Sequence, residues 1–282
     1  MRQLFFFISF ITPLMLYLTL DSAWCFTLNN TVAASLPGND VPVNVAAHTC
    51  NNLGVSNQDL LEMVGEAVNN YWNMAPNSRL RLRKGSLTTV SSAFQTEPGC
   101  SSYSNGSCTP NPNLLVSEGI LITCNTDTGS PANFSSGVMA VTIPNNIQGR
   151  NINGSLILLN DKSDNSFKNK SHDEQTAILA HEIGHGLGLG HSPVEDSLMY
   201  YASIPTRRSL GWDDLDGLAY LYPTEQPFSG CGTITLNDND PNSSGPGMFV
   251  LTMLLGLGAS MTLLGLSALA RRSLVNLNSG LG

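Results

Sequence analysis

The chain has 282 residues, 41% of them hydrophobic, enough for one good-sized domain or two small ones around a packed core. Its 13 Lys and Arg against 21 Asp and Glu leave a formal net charge of -8 at pH 7. No Lys/Arg-rich run occurs, and a phosphate binder needs a concentrated basic face, so nucleic acid is excluded as a partner.

Residues 1–25 read as an export signal. Arg2 supplies the positive start, Leu4 to Leu20 is an apolar run, and Ala23-Trp24-Cys25 has its small residues at the spacing of a cut after Cys25. Lipidation of Cys25 would need a small residue directly before it, and Trp24 is large. An uncleaved N-terminal anchor is the alternative. The region from Phe26 to about Asn242 is expected on the non-cytoplasmic side, where Cys50, Cys100, Cys108, Cys124 and Cys231 favour disulfides. Cys100 and Cys108 flank a Ser/Asn/Gly loop and are the easiest pair, Cys50 with Cys124 is the second, and Cys231 is left over. None has the close paired spacing of a thiolate zinc site.

Residues 26–224 carry the periodic patterns of a folded domain. Ser56 followed by Asp59 marks a helix start, and Leu60, Leu61, Val64, Ala67, Val68 and Tyr71 recur as one apolar stripe, with Pro76 as terminator. Arg79 to Arg83 alternates Leu with Arg, which predicts a strand with one wet face. Cys100 to Pro112 is rich in Ser, Asn, Gly and Pro and is expected to be a loop. Gly119 to Cys124, Val138 to Ile143 and Leu156 to Leu159 are short apolar runs bounded by turn residues, hence strands. Ser171 and Glu174 form a capping box that opens the next helix, expected to stop near Gly188. A last helix spans Asp213 to Leu221, with Leu215, Leu218 and Leu221 inward and Pro223 beyond. The order of strand, helix, several strands and helix implies an α+β fold, a mixed twisted sheet with helices packed on it.

The chemistry is concentrated in His181-Glu182-Ile183-Gly184-His185-Gly186-Leu187-Gly188-Leu189-Gly190-His191. Residues four apart on a helix project from one face, so His181 and His185 can grip one ion, and zinc suits imidazole. A glycine bend at Gly188 lets the chain return and deliver His191 as a third ligand. Three neutral imidazoles leave a fourth position for water, and Glu182 lies beside that position as the general base for attack on a carbonyl. One catalytic Zn2+ is expected. Two His and a Glu on a buried helix alone could be satisfied core groups; Gly188 and His191 at fixed offsets make coincidence improbable. A silent zinc-binding module, or an envelope protein carrying the motif by accident, are the competing readings; the first would have no use for Glu182, and the second would bind no metal.

This eleven-residue pattern with a downstream Met resembles the metzincin zinc peptidases, and the details resemble the matrixin branch. Ser192 after the third His, the stretch Asp196-Ser197-Leu198-Met199-Tyr200, and the closing segment Leu210-Gly211-Trp212-Asp213-Asp214-Leu215-Asp216-Gly217-Leu218 carry the likeness. The resemblance implies a metalloendopeptidase acting on a protein or peptide bound in extended form. It makes Met199 the Met-turn residue beneath the zinc, Val138 to Ile143 the substrate-aligning edge strand, and the segment after Met199 the wall of the specificity pocket. Tyr201 stands where matrixins usually have Pro, and a cysteine-switch propeptide motif is absent. Only His48 and His172 lie outside the motif, too few for the family's additional structural zinc site.

Two oxygen-rich clusters, Asp161 with Asp164 and Asp238 with Asp240, are candidate Ca2+ sites, with ordinary surface turns as the alternative. Residues 225–247 are Asn, Asp, Ser, Gly and Pro in bulk, a flexible linker. Residues 248–270 contain no charge and suffice for one transmembrane helix at about 1.5 Å per residue. Arg271 and Arg272 follow, which assigns 271–282 as a cytoplasmic tail. The expected arrangement is a catalytic domain held at the outer face of a membrane through that helix, or released from it.

Overall fold

The computed structural model describes residues 26–224, apart from 31, 105–106, 127–133, 136 and 203–206. In chain order its elements are β1 (Asp40–Ala46), α1 (Asn57–Asn70), β2 (Arg81–Thr88), α2 (Ala93–Thr96), β3 (Cys100–Ser104), β4 (Ser107–Pro110), β5 (Gly119–Asn125), β6 (Ala140–Gln148), β7 (Asn151–Asn160), α3 (His172–Gly186) and α4 (Trp212–Leu221). The main sheet has the order β2-β1-β5-β7-β6. Its first four strands are mutually parallel, and β6 pairs antiparallel with β7 at the edge.

The apolar runs follow from this placement. β5 is buried along its whole length and β7 along most of it, as strands covered on both faces require. Ile120 and Ile122 of β5, with Ile157 and Leu159 of β7, face the larger core cluster beneath α1 and α3; Leu121, Leu156 and Leu158 face a smaller one with Phe94 and Phe134. α1 lays Leu60, Leu61, Val64, Ala67 and Val68 into the larger cluster, and the Ser56 side chain accepts from the Asp59 amide at its start. That is the predicted helix and cap.

Several expectations shift. α1 ends at Asn70 rather than Pro76, because the backbone leaves helical geometry at Tyr71 and a single tight turn, Trp72–Met74, follows. The break lets the buried Trp72 indole donate to the Ala180 carbonyl at 2.8 Å, tying that turn to α3. The strand expected at Arg79 to Arg83 begins at Arg81 and runs to Thr88, since the Arg79 amide is engaged by the Tyr222 carbonyl instead of the sheet. Cys100 to Pro112 is not a plain loop: β3 and β4 form an antiparallel hairpin there. Nearly all its side chains face outward, so no apolar alternation marks it. The run expected from Val138 starts at Ala140 and extends to Gln148, and Leu156 to Leu159 is the inner end of a strand beginning at Asn151.

Both proposed disulfides are present. Cys100–Cys108 crosses the hairpin, and Cys50–Cys124 ties the chain beyond β1 to the end of β5. Contacts divide the chain into residues 1–226 and 227–282. The second unit, with the predicted linker, the 248–270 span, the tail, Cys231 and the Asp238/Asp240 cluster, lies outside the described residues, as does the 1–25 signal. Among the described residues no helix is long and apolar enough to cross a membrane.

Candidate metal centre and active site

α3 opens with the predicted capping box: the Ser171 amide donates to Glu174 Oε2 at 2.8 Å, and the Glu174 amide donates back to Ser171 Oγ. From Gln175 to Gly184 every residue of the helix is buried, so its polar groups need partners inside the protein. His181 and Glu182 belong to this buried stretch, His185 is half-buried and His191 is exposed. The site thus grades from core to solvent across its three imidazoles.

The return of the chain after α3 depends on two glycines. Gly188 has φ +103°, in the left-handed region, and a Cβ there would lie 2.6 Å from the Ala34 carbonyl oxygen. Gly190 packs against Thr27 and Leu28, where a Cβ would meet Thr27 Oγ1 at 2.3 Å. The segment around Leu28 runs antiparallel to Leu189 and closes a two-bond ladder, Asn29 N to Gly188 O and Gly190 N to Thr27 O. The Thr27 hydroxyl then donates to the His191 carbonyl at 2.6 Å, and the Asn29 amide to the His185 carbonyl at 3.3 Å. The Tyr222 hydroxyl, fully buried, donates to the Leu187 carbonyl at 2.7 Å. Loop and third imidazole are therefore held from both ends of the domain.

The ring nitrogens are sorted for metal binding. His181 Nδ1 bonds the Leu198 carbonyl and His185 Nδ1 the Leu189 carbonyl, each at 2.8 Å. A carbonyl accepts only from a protonated nitrogen, so Nδ1–H is fixed and the Nε2 lone pair is presented. His185 Nε2 and His191 Nε2 face each other at 3.3 Å. Tetrahedral zinc with Zn–N bonds of about 2.05 Å separates its ligand atoms by about 3.3 Å. Ligand atoms of all three residues lie within 4.8 Å of one another. Burial, reinforced by His185, holds His181 down to about 3; burial also lowers His185, and the partial desolvation of the His191 ring within an otherwise exposed residue lowers that one. All three rings are thus kept in the neutral form that binds metal. The group fits one zinc ion.

Glu182 is buried on α3 and reaches the edge strand β6. Its Oε2 accepts from the Thr142 hydroxyl of β6 at 2.5 Å. Burial pushes its carboxyl up to about 7, against the stabilising Thr142 bond.

Comparison with known proteins bears on this region. The matrixin family model matches residues 123–223. Metalloendoproteinase 2-MMP of Arabidopsis thaliana is 45% identical over 56 residues, 19% of this chain and 15% of that protein. Stromelysin-1 of Rattus norvegicus is 48% identical over 56 residues, 18% of this chain and 12% of that protein, and matrix metalloproteinase-18 of Xenopus laevis is 39% identical over 69 residues. Residues 123–223 are therefore similar to the matrixin family. The chain spans about 15% of the length of the first curated relatives it matches.

In this matrixin-like region, Met199 is buried under the metal-binding helix, its sulfur so near Gly184 that a Cβ there would sit 2.4 Å from it. The turn is braced by Asp214 of α4. Its Oδ2 accepts from the Leu198 and Gly211 amides at 2.6 and 2.8 Å, and its Oδ1 from the Met199 amide at 3.0 Å and the Ser197 hydroxyl. Burial pushes the Asp214 carboxyl up, opposed by those four donors. Because the Leu198 carbonyl also accepts a hydrogen bond from His181 Nδ1, Asp214 holds the His181 ring at one remove. Asp213, its neighbour, is buried with Oδ2 unpartnered.

The remaining histidines stand elsewhere. His48 contacts Thr123 and the Cys124 carbonyl, and His172 pairs with Glu66 on the surface at 2.7 Å. Asp161 is buried and accepts from the Asn51 and Asn52 amides at 2.9 and 2.6 Å. Those oxygens bind the backbone of residues 51 and 52. Sequence patterns pointed to the three His, Glu182, Gly188 and Met199; Thr27, Asn29, Thr142 and Tyr222, polar residues without periodic or motif signal, were not foreseen.

Proposed function

We propose that this chain is a zinc-dependent endopeptidase that cleaves extended protein or peptide chains, with His181, His185 and His191 as metal ligands and Glu182 as general base. The observation that carries the reading is the meeting of His185 and His191 Nε2 at 3.3 Å, with His181 in the same cluster and Glu182, next to His181 on the helix, near enough to act electrostatically on His191. Bound there, zinc supplies Lewis acidity, lowering the pKa of a water from about 15.7 towards 7 and polarising the scissile carbonyl. Glu182 takes the proton of the attacking water on a carboxylate oxygen and hands it to the departing amine nitrogen, so it ends the cycle ionised. His181 and His185 keep their Nδ1 protons on backbone carbonyls throughout. Among the described residues β6 has no strand on its outer side, and such an edge suits main-chain pairing with an extended substrate.

The names of the matched relatives, metalloendoproteinases and matrix metalloproteinases, support the same activity. Two disulfides favour an oxidising, non-cytoplasmic setting. The uncharged run 248–270 followed by Arg271 and Arg272 supports anchoring of the domain at the outer face of a membrane.

The test is Glu182→Gln in the full chain, assayed on casein and on a peptide library beside zinc analysis. Zinc is retained at one ion per chain while the rate falls about 10²- to 10⁴-fold, the usual contribution of a general base. A variant as active as the parent would overturn the role of Glu182, and a parent protein that binds no zinc would overturn the whole reading.

A further inference from the structure

We propose that the Thr142 hydroxyl is a positioning group for the general base: it holds one oxygen of the Glu182 carboxyl and so leaves the other aimed at the reacting water. This inference rests on the endopeptidase reading. Thr142 belongs to β6, whose alternate residues face opposite sides of the sheet. Ala140 packs on the larger core cluster under α3 and Val141 on the smaller one, so Thr142, two positions from Ala140, faces α3. Its Oγ1 reaches Glu182 Oε2 at 2.5 Å and the Glu182 backbone carbonyl at 3.2 Å. A hydroxyl has one proton, and the shorter contact with the carboxyl receives it.

The consequence follows from the number of acceptor atoms. Thr142 is the side chain that binds the Glu182 carboxyl among the described residues, and it binds only Oε2. Oε1 is the oxygen left to accept a proton from water. Without the hydroxyl both oxygens are equivalent, and the carboxyl is free to rotate about its last bond, where the torsional preference is broad. Small losses of alignment at a reacting atom reduce rate more than binding. Thr142 also sits on the edge strand along which an extended substrate would pair. The base is thereby tied to the element that aligns the substrate, rather than only to its own helix.

The experiment compares wild type, Thr142→Val, Thr142→Ser and Glu182→Gln in the full chain. In the zinc-loaded protein, Thr142→Val lowers kcat about tenfold with KM, zinc content and melting temperature unchanged, the size expected for one hydrogen bond to an ionisable group. Thr142→Ser, which keeps the hydroxyl, restores kcat to within about threefold of wild type. In the zinc-free protein, isotope-edited infrared spectroscopy gives a second readout. The carboxyl band assigned to Glu182 by its loss in Glu182→Gln shifts in Thr142→Val and stays in place in Thr142→Ser. The proposal is overturned if the band does not move in Thr142→Val, if Thr142→Ser behaves like Thr142→Val, or if KM rises with kcat unchanged. If Glu182→Gln keeps full activity, the base assignment itself fails. If Glu182→Gln is inactive and Thr142→Val is fully active, only Thr142 is excluded.

Discussion

Asp214→Asn is the most informative single change outside the metal ligands. The carboxylate has four donors, two on each oxygen: Ser197 Oγ and Met199 N on Oδ1, Leu198 N and Gly211 N on Oδ2. An amide keeps one oxygen and presents an NH2 group in place of the other, so two donors then face a donor. Each hydrogen bond to a charged group contributes about 1.5–3 kcal/mol, and the Ser197 hydroxyl can turn to recover part of one, which leaves a loss of about 2–4 kcal/mol. For a domain of this size about 1 kcal/mol moves Tm by about 2–4 °C, so a fall of about 5–15 °C is expected. Asp213→Asn is the matched control, because Asp213 Oδ2 has no partner to lose; its change stays below about 1 kcal/mol. Calorimetry of the zinc-loaded variants reads the first effect. Zinc release to a chelator reads the second, because the turn carrying the Leu198 carbonyl loosens and His181 Nδ1 loses its fixed acceptor. Equal melting temperatures for wild type and Asp214→Asn, or equal losses for the two aspartates, would refute the assignment of Asp214 as the brace of the turn.

The two disulfides are predicted to differ in weight. Removing Cys50–Cys124, which closes a separation of 74 residues, costs about 4.5 kcal/mol in urea unfolding by loop entropy, and removing Cys100–Cys108, with a separation of 8, about 2.5 kcal/mol. A larger loss for the hairpin pair would contradict the entropic account. Gly184→Ala forces a methyl to within 2.4 Å of Met199 Sδ and 2.7 Å of the Trp72 ring, and should destabilise by about 1–3 kcal/mol. Gly186→Ala meets nothing nearer than Ile120 Cδ1 at 3.3 Å, so it should leave stability within about 1 kcal/mol of wild type, helped by the better helix propensity of Ala. Thermal unfolding of both checks the contrast.

What could be read from residues alone was whatever a short-range rule governs. Capping boxes and helix periods are such rules, and Ser56, Ser171 and the α1 stripe stand as expected. So are the i, i+4 spacing of His181 and His185 and the need for glycine at Gly188. Elements with weak local signal escaped or shifted. β3 and β4 expose nearly every side chain, so no apolar alternation betrays them, and their pairing is reinforced by a covalent bridge. β6 and β7 extend into Asn- and Gln-rich sequence because Asn145 and Asn146 donate to the Leu114 and Val116 carbonyls. Those are acceptors thirty or more residues away, and no window of sequence contains them.

The same division runs through the site. The donors of the metal centre lie within eleven residues, and local geometry suffices to bring two of the rings together. What holds the rings and the Glu182 carboxyl in place comes from much farther along the chain. Thr27 grips the His191 carbonyl across a separation of 164 residues, Asn29 the His185 carbonyl across 156, and Thr142 the Glu182 carboxyl across 40. Each is an ordinary polar residue whose identity has meaning only once the fold delivers it. A motif can therefore suggest the metal and the reaction class, while contacts the motif does not contain hold its side chains and carbonyls in place. It follows that exchanging the motif's neighbours within α3 should disturb activity less, residue for residue, than deleting a hydroxyl at position 27 or 142, each of which removes a single oxygen and leaves the helix intact.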